Sequence, residues 1–116
     1  MRFLSIVAVL LVLFAIPAFP QDSPKKITQH DAMDAVTNKV TPDYPAIAKQ
    51  LKIQGVAEVE AVIGENGSVE HVKTVSGSPV LTKAASEALL KWKFKPFTED
   101  GKPIKVVATL SFTFNM

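Results

Sequence analysis

Glu58 and Glu60 stand two positions apart in a stretch that alternates apolar and polar residues. On a strand such a pair shares one face about 7 Å apart, the loosest form of glycosidase carboxylate spacing. Val56 and Val62 flank them, and the two-sided pattern is that of an ordinary solvated strand face. Glu70-His71 sets a carboxylate beside an imidazole, but no third ligand follows at metal-binding spacing. Ser76 and Ser78 lie near His71, yet helix capping accounts for Ser78 and no nucleophile-elbow glycine pattern surrounds either serine. Lys91-Trp92-Lys93-Phe94-Lys95 interleaves lysines with aromatics, as grooves for single-stranded nucleic acid do. Helix-end lysines complementing the helix dipole, with Trp92 and Phe94 turned inward, explain the same run. The chain has no cysteine, which removes disulfides, thiolate metal sites, cysteine nucleophiles and an acylated lipoprotein cysteine. His30 and His71 are its only histidines, too few for a histidine-rich metal site. Without an acid–base or nucleophile constellation, no enzyme activity, metal or cofactor is expected.

Such residues must be held by something, and 116 residues suffice for one domain. A formal charge of +2 with 21% charged residues separates the chain from disordered tails and from strongly basic nucleic-acid binders. Residues 1–20 stand apart. Arg2 precedes a run from Phe3 to Ile16 that is apolar except for Ser5, and Pro17 and Pro20 close it. About 14 apolar residues suit the core of a secretory signal better than a membrane span of about 20. Segment 1–20 is therefore expected to be a signal peptide or a short membrane anchor, and either one exports the remainder from the cytoplasm. Residues 21–40 read as a polar linker with a short helix, begun by Thr28 and Asp31 at capping-box spacing.

The domain is expected over 41–116. Pro42-Asp43-Tyr44-Pro45 opens a helix whose Ile47, Ala48 and Leu51 share an apolar face, and Gly55 stops it. Ala57, Val59, Ala61 and Ile63 then alternate with polar positions as a half-buried strand. Asn66-Gly67 signals a hairpin in which both residues take positive φ. The return strand, from about Ser68 to Ser76, alternates imperfectly, so an irregularity is expected near Glu70. Ser78-Pro79 starts a helix with an apolar stripe of Leu81, Ala84, Ala85, Ala88, Leu89 and Trp92. Glu87 and Lys91 are spaced for an i,i+4 ion pair. The last strand runs from Ile104 to Phe114 in strict alternation. The order helix, strand, strand, helix, strand, with a right-handed crossover, predicts an α+β domain. Its two layers are a three-stranded antiparallel-type sheet, order 2-1-3, and helices on one face. The last strand would then be a long, uncharged edge with Val107, Thr109, Ser111 and Thr113 on its open face. Such an edge has to be covered, dimerised or used for binding.

From Pro42 to Phe114 the sequence resembles the C-terminal domain of the TonB energy-transducer family. The matching landmarks are Pro42-x-Tyr44-Pro45, Gly55, Asn66-Gly67, Ser78-Pro79 and Leu81-x-x-Ala84-Ala85. Trp92-x-Phe94-x-Pro96, Gly101-x-Pro103 and Phe112-x-Phe114 come next, in order. The resemblance implies binding of outer-membrane receptors in support of transmembrane transport. A receptor segment, the TonB box, would pair with the edge of the last strand. The implied contacts are the backbone of Val106, Val107, Ala108, Thr109, Leu110, Ser111, Phe112 and Thr113, with Tyr44 and Pro45 nearby. An anchored form would also meet inner-membrane motor proteins. A soluble periplasmic adaptor, or an oligomerisation module that consumes the same strand in a homodimer, is the alternative. The family's long Pro-rich spacer has no counterpart between Pro20 and the domain. No nucleic-acid partner is expected.

Overall fold

The computed structural model describes residues 23–116, so the segment read as signal or anchor lies outside the described residues. The chain begins with a two-residue strand, β1 (Lys25–Lys26), and the helix α1 (Gln29–Ala35), followed by β2 (Val36–Asn38) and α2 (Ala46–Gln50). The long hairpin β3 (Gly55–Ile63) and β4 (Val69–Ser76) leads into α3 (Pro79–Leu89). Short strands β5 (Lys93–Phe94), β6 (Phe97–Glu99) and β7 (Lys102–Ile104) precede the last strand, β8 (Val106–Phe114). The architecture is α+β.

Ala57, Val59, Ala61 and Ile63 of β3 are fully buried, and Val106, Ala108, Leu110 and Phe114 of β8 join them. Ala32 of α1, Ala48 of α2 and Leu81, Ala85 and Leu89 of α3 complete the same core, so the three helices cover one face of the sheet. Burying side chains such as Ile63, Leu81, Leu89 and Leu110 stabilises the fold by about 1.5–3 kcal/mol each. The opposite face carries Glu58, Glu60, Thr109 and Ser111, as the alternation requires.

The sheet has four strands rather than three, in the order β1-β8-β3-β4. The long strands keep β3 in the middle, antiparallel to both β4 and β8. The fourth strand comes from the segment whose polarity suggested a linker: β1 lies parallel to β8, Lys25 beside Val106 and Lys26 beside Val107. Composition concealed this because backbone pairing needs no apolar side chains. Thr28 caps α1, accepting the Asp31 N–H at 3.1 Å. The helix then delivers Ala32 into the core.

Other local differences have definite causes. The α2 helix is only five residues long and ends where Lys52 adopts a φ of 54°. It buries Ala48 alone, while Ile47 and Leu51 remain 49% and 63% exposed. The hairpin at Gly64–Gly67 is not a two-residue turn, since of Asn66 and Gly67 only Gly67 has positive φ. Gly67 N–H donates to the Gly64 carbonyl and Gly64 N–H to the Ser68 carbonyl, as in a type I turn followed by a left-handed glycine. The mirror-image turn is formed instead by Asp100 (φ 51°) and Gly101 (φ 76°), between β6 and β7. The last strand starts at Val106, because Ile104 ends β7. In β4 the register shifts at Glu70, as the imperfect alternation predicts, and again at Val75. Ser78 occupies the cap position of α3 without a side-chain cap bond, and Pro79 fills the first turn. The buried Thr82 turns its hydroxyl back to the Pro79 carbonyl at 3.2 Å.

Candidate functional site

The edge of β8 is built by the parity of its hydrogen bonds. Lys25 N–H donates to the Lys105 carbonyl and Ile27 N–H to the Val107 carbonyl, both at 3.0 Å. Ser111 N–H is taken by the side-chain Oε1 of Gln29 at 3.2 Å. Odd-numbered residues therefore turn their backbone away from β3. In the ladder with β3, Val106, Ala108, Leu110 and Phe112 face Ile63, Ala61, Val59 and Ala57, and their backbone groups are spent there. Of the eight residues expected at the edge, only Val107, Thr109, Ser111 and Thr113 present main-chain groups to it. Beyond β1, Thr109 and Thr113 have no strand opposite them on that side among the described residues.

Tyr44 and Pro45 lie in different surroundings. The Tyr44 ring stands edge-on to Phe114, centroids 5.6 Å apart, and its hydroxyl donates to the Ile53 carbonyl at 2.5 Å. Tyr44 thus braces the far end of β8 from the core side. Pro45 precedes α2 and lines a groove of about 580 Å³ between the Val40–Ile47 segment and α3, away from the β8 edge.

Residues not anticipated from the sequence complete the site. Gln29, Met33, Lys39 and Trp92 enclose, with Phe112 and Thr113, a depression of about 280 Å³ beside the second half of β8. Trp92 is buried and holds its wall in place, its indole N–H donating to the Val40 carbonyl at 2.8 Å. The Phe112 ring packs edge-on against it at 5.6 Å, and the Lys39 ammonium lies 5.6 Å from its ring centre. Lys25 is further tied to Glu99 at 3.4 Å, an ion pair with both side chains about half exposed and worth at most about 1 kcal/mol. The readable signal for this region was Ile27. An apolar residue just before the Thr28 cap and Ala32 four positions into the helix have the spacing of a hydrophobic staple, which docks the incoming chain.

The residues first considered for catalysis are dispersed. Glu58 accepts from the Ser76 hydroxyl at 3.2 Å, and Glu60 lies between Lys73 and Thr109 on the open face. Glu70 pairs with Lys105 at 3.2 Å, while His71 is exposed opposite Val62. Glu87 and Lys91 form no ion pair within 4.0 Å, although both border the larger groove. Among the described residues no three acidic, histidine or cysteine side chains gather at metal-binding distance, and no helix is long and apolar enough to cross a membrane.

The last long strand of the sheet thus offers alternate main-chain groups at its edge, backed by Trp92, Phe112, Phe114 and Tyr44. The family profile described as Gram-negative bacterial TonB protein C-terminal matches residues 40–116, and the chain belongs to that family. Protein TonB of Vibrio cholerae is 31% identical over 94 residues, 76% of this chain and 38% of the relative. Protein TonB of Escherichia coli is 30% identical over 77 residues, 64% of this chain and 30% of the relative. The chain thus spans well under half the length of these curated relatives. The solution NMR structure of the Pseudomonas aeruginosa TonB CTD superposes with a TM-score of 0.56 at 25% identity, covering 70% of this chain and 84% of that one.

Proposed function

We propose that this domain binds TonB-dependent outer-membrane receptors by strand addition, in support of transmembrane transport across the cell envelope. The observation that carries the reading is the outward-turned backbone of Thr109 and Thr113 on a domain of this family. Strand addition draws its affinity from main-chain hydrogen bonds and its selectivity from alternate side chains. An extended receptor segment, the TonB box, would engage Thr109, Ser111 and Thr113 first, and Val107 where β1 gives way. Val106, Ala108, Leu110 and Phe112 serve this reading by keeping β8 fixed to β3. Tyr44 contributes by bracing Phe114, and Pro45 through its separate groove. A periplasmic location, with residues 1–20 as signal or anchor, belongs to the same proposal. Contact with motor proteins belongs to it only for an anchored form.

The test is titration of the labelled protein with a synthetic TonB-box peptide, followed by amide chemical shifts. Saturable one-to-one binding with the largest shifts at Thr109, Ser111 and Thr113 is expected. No peptide binding, together with a concentration-dependent mass in sedimentation, would instead assign the edge to a homodimer.

A further inference from the structure

Resting on that reading, we propose that the chain regulates its own binding edge: residues 23–27 form a displaceable strap, held on β8 as a stand-in for the partner segment. The strap runs along the edge in the manner of an added strand. Its Lys25 and Ile27 amides donate to the Lys105 and Val107 carbonyls, and Gln29 occupies the Ser111 N–H that an incoming strand would use. The strap bonds cover the Val107 end of the stretch around Thr109, so a partner pairing continuously from Val107 to Thr113 cannot seat while they persist; the exposed Gln29 side chain has only to turn off the Ser111 N–H, with no movement of α1.

The strap is weakly held compared with the helix next to it. Its side chains at Lys25 and Lys26 are exposed, its tie to Glu99 is a half-exposed ion pair, and Ile27 is its one apolar side chain against the core, only partly buried. From Thr28 onward the chain is firmly docked. The helix cap, the buried Ala32, the Lys95 N–H to Ala35 carbonyl bond at 2.7 Å and the pairing of Val36 with Phe94 all hold α1 in place. The hinge therefore lies at Ile27–Thr28, and α1 stays where it is when the strap leaves. A strap held by three backbone bonds, the third from the Val107 N–H to the Lys25 carbonyl within the β1–β8 pair, leaves the edge free for only a minor fraction of the time. It weakens apparent affinity by the inverse of that fraction, about tenfold.

Because the chain lacks cysteine, the strap can be locked selectively. Lys26 and Val107 are direct neighbours across the β1–β8 pair. In a Lys26→Cys, Val107→Cys variant, TonB-box peptide affinity is expected to fall at least tenfold on oxidation and to recover on reduction. Lys25→Pro removes one strap donor and the Glu99 partner, and should raise affinity about three- to tenfold. Equal affinity in the oxidised, reduced and Lys25→Pro forms would overturn the strap while leaving strand addition intact. Hydrogen exchange reads the strap without any partner. The Ile27 amide should show about tenfold protection that Lys25→Pro abolishes. An Ile27 amide that is unprotected, or as protected as Ala108, overturns the proposal even if no form binds peptide, an outcome that would refute strand addition separately.

Discussion

Thr109→Pro separates the proposed binding edge from the fold. Thr109 lies at an odd position of β8, so its N–H points away from β3, and proline there removes no hydrogen bond of the β3–β8 ladder. Its side chain is exposed, so little packing is lost. The variant should therefore fold with a modest loss of stability, about 1 kcal/mol from the narrowed φ. A bound strand, in contrast, would lose the donor at the centre of its pairing. The missing bond costs about 0.5–1.5 kcal/mol, and the partner's unpaired acceptor about 1–3 more. The sum, about 2–4 kcal/mol, corresponds to a loss of roughly thirty- to a thousandfold in affinity. Calorimetric titration with a TonB-box peptide, alongside a thermal melt of each protein, measures both quantities. Leu110→Pro is the contrasting variant, because Leu110 is buried and its backbone is spent on Val59; it should unfold the domain. Unchanged peptide affinity in folded Thr109→Pro would refute the parity argument and with it the edge as the binding site.

Gly67→Ala should destabilise by about 2–4 kcal/mol and lower Tm by roughly 10–25 °C, since φ is 83° and a Cβ would collide with the Phe94 carbonyl. Gly101→Ala, at φ 76° with nothing within 4 Å of the added Cβ, should cost only about 1 kcal/mol in the same melt. Trp92→Phe removes the indole bond to Val40 and should cost about 1–2 kcal/mol in denaturant unfolding. Glu70→Gln, breaking a partly exposed ion pair with Lys105, should change stability by less than about 0.5 kcal/mol.

The parts of the fold legible in sequence are those where side chains reveal burial. Strict alternation exposed β3 and β8, and the broad apolar stripe exposed α3, because each must present one face to the core. The parts that misled are those decided by backbone. Ile47 and Leu51 carry apolar side chains on a helix too short to bury them, and Asn66-Gly67 has the composition of one turn while its geometry is that of another. The β8 edge was legible as a strand. Its occupancy was not, because the polar run Lys25-Lys26 pairs through amides and carbonyls that every sequence possesses. Which half of the residues in β8 can reach a partner depends on hydrogen-bond parity, and composition carries no trace of it.

The parallel course of β1 also sets how the domain carries load. Its start lies beside the start of β8, and the other end of β8, at Phe114, is braced by Tyr44. A pull on the chain ahead of Lys25, directed along the strand, shears the bonds to Lys105 and Val107 together. When these give way, the next resistance is of another kind: Ala32 in the core, Val36 on Phe94, and the Trp92 indole on Val40. The attachment therefore yields in two stages, a soft one of a few residues and then a stiff stop. A displacement of the chain ahead of Lys25 would be taken up at the edge of the sheet before it reached the core.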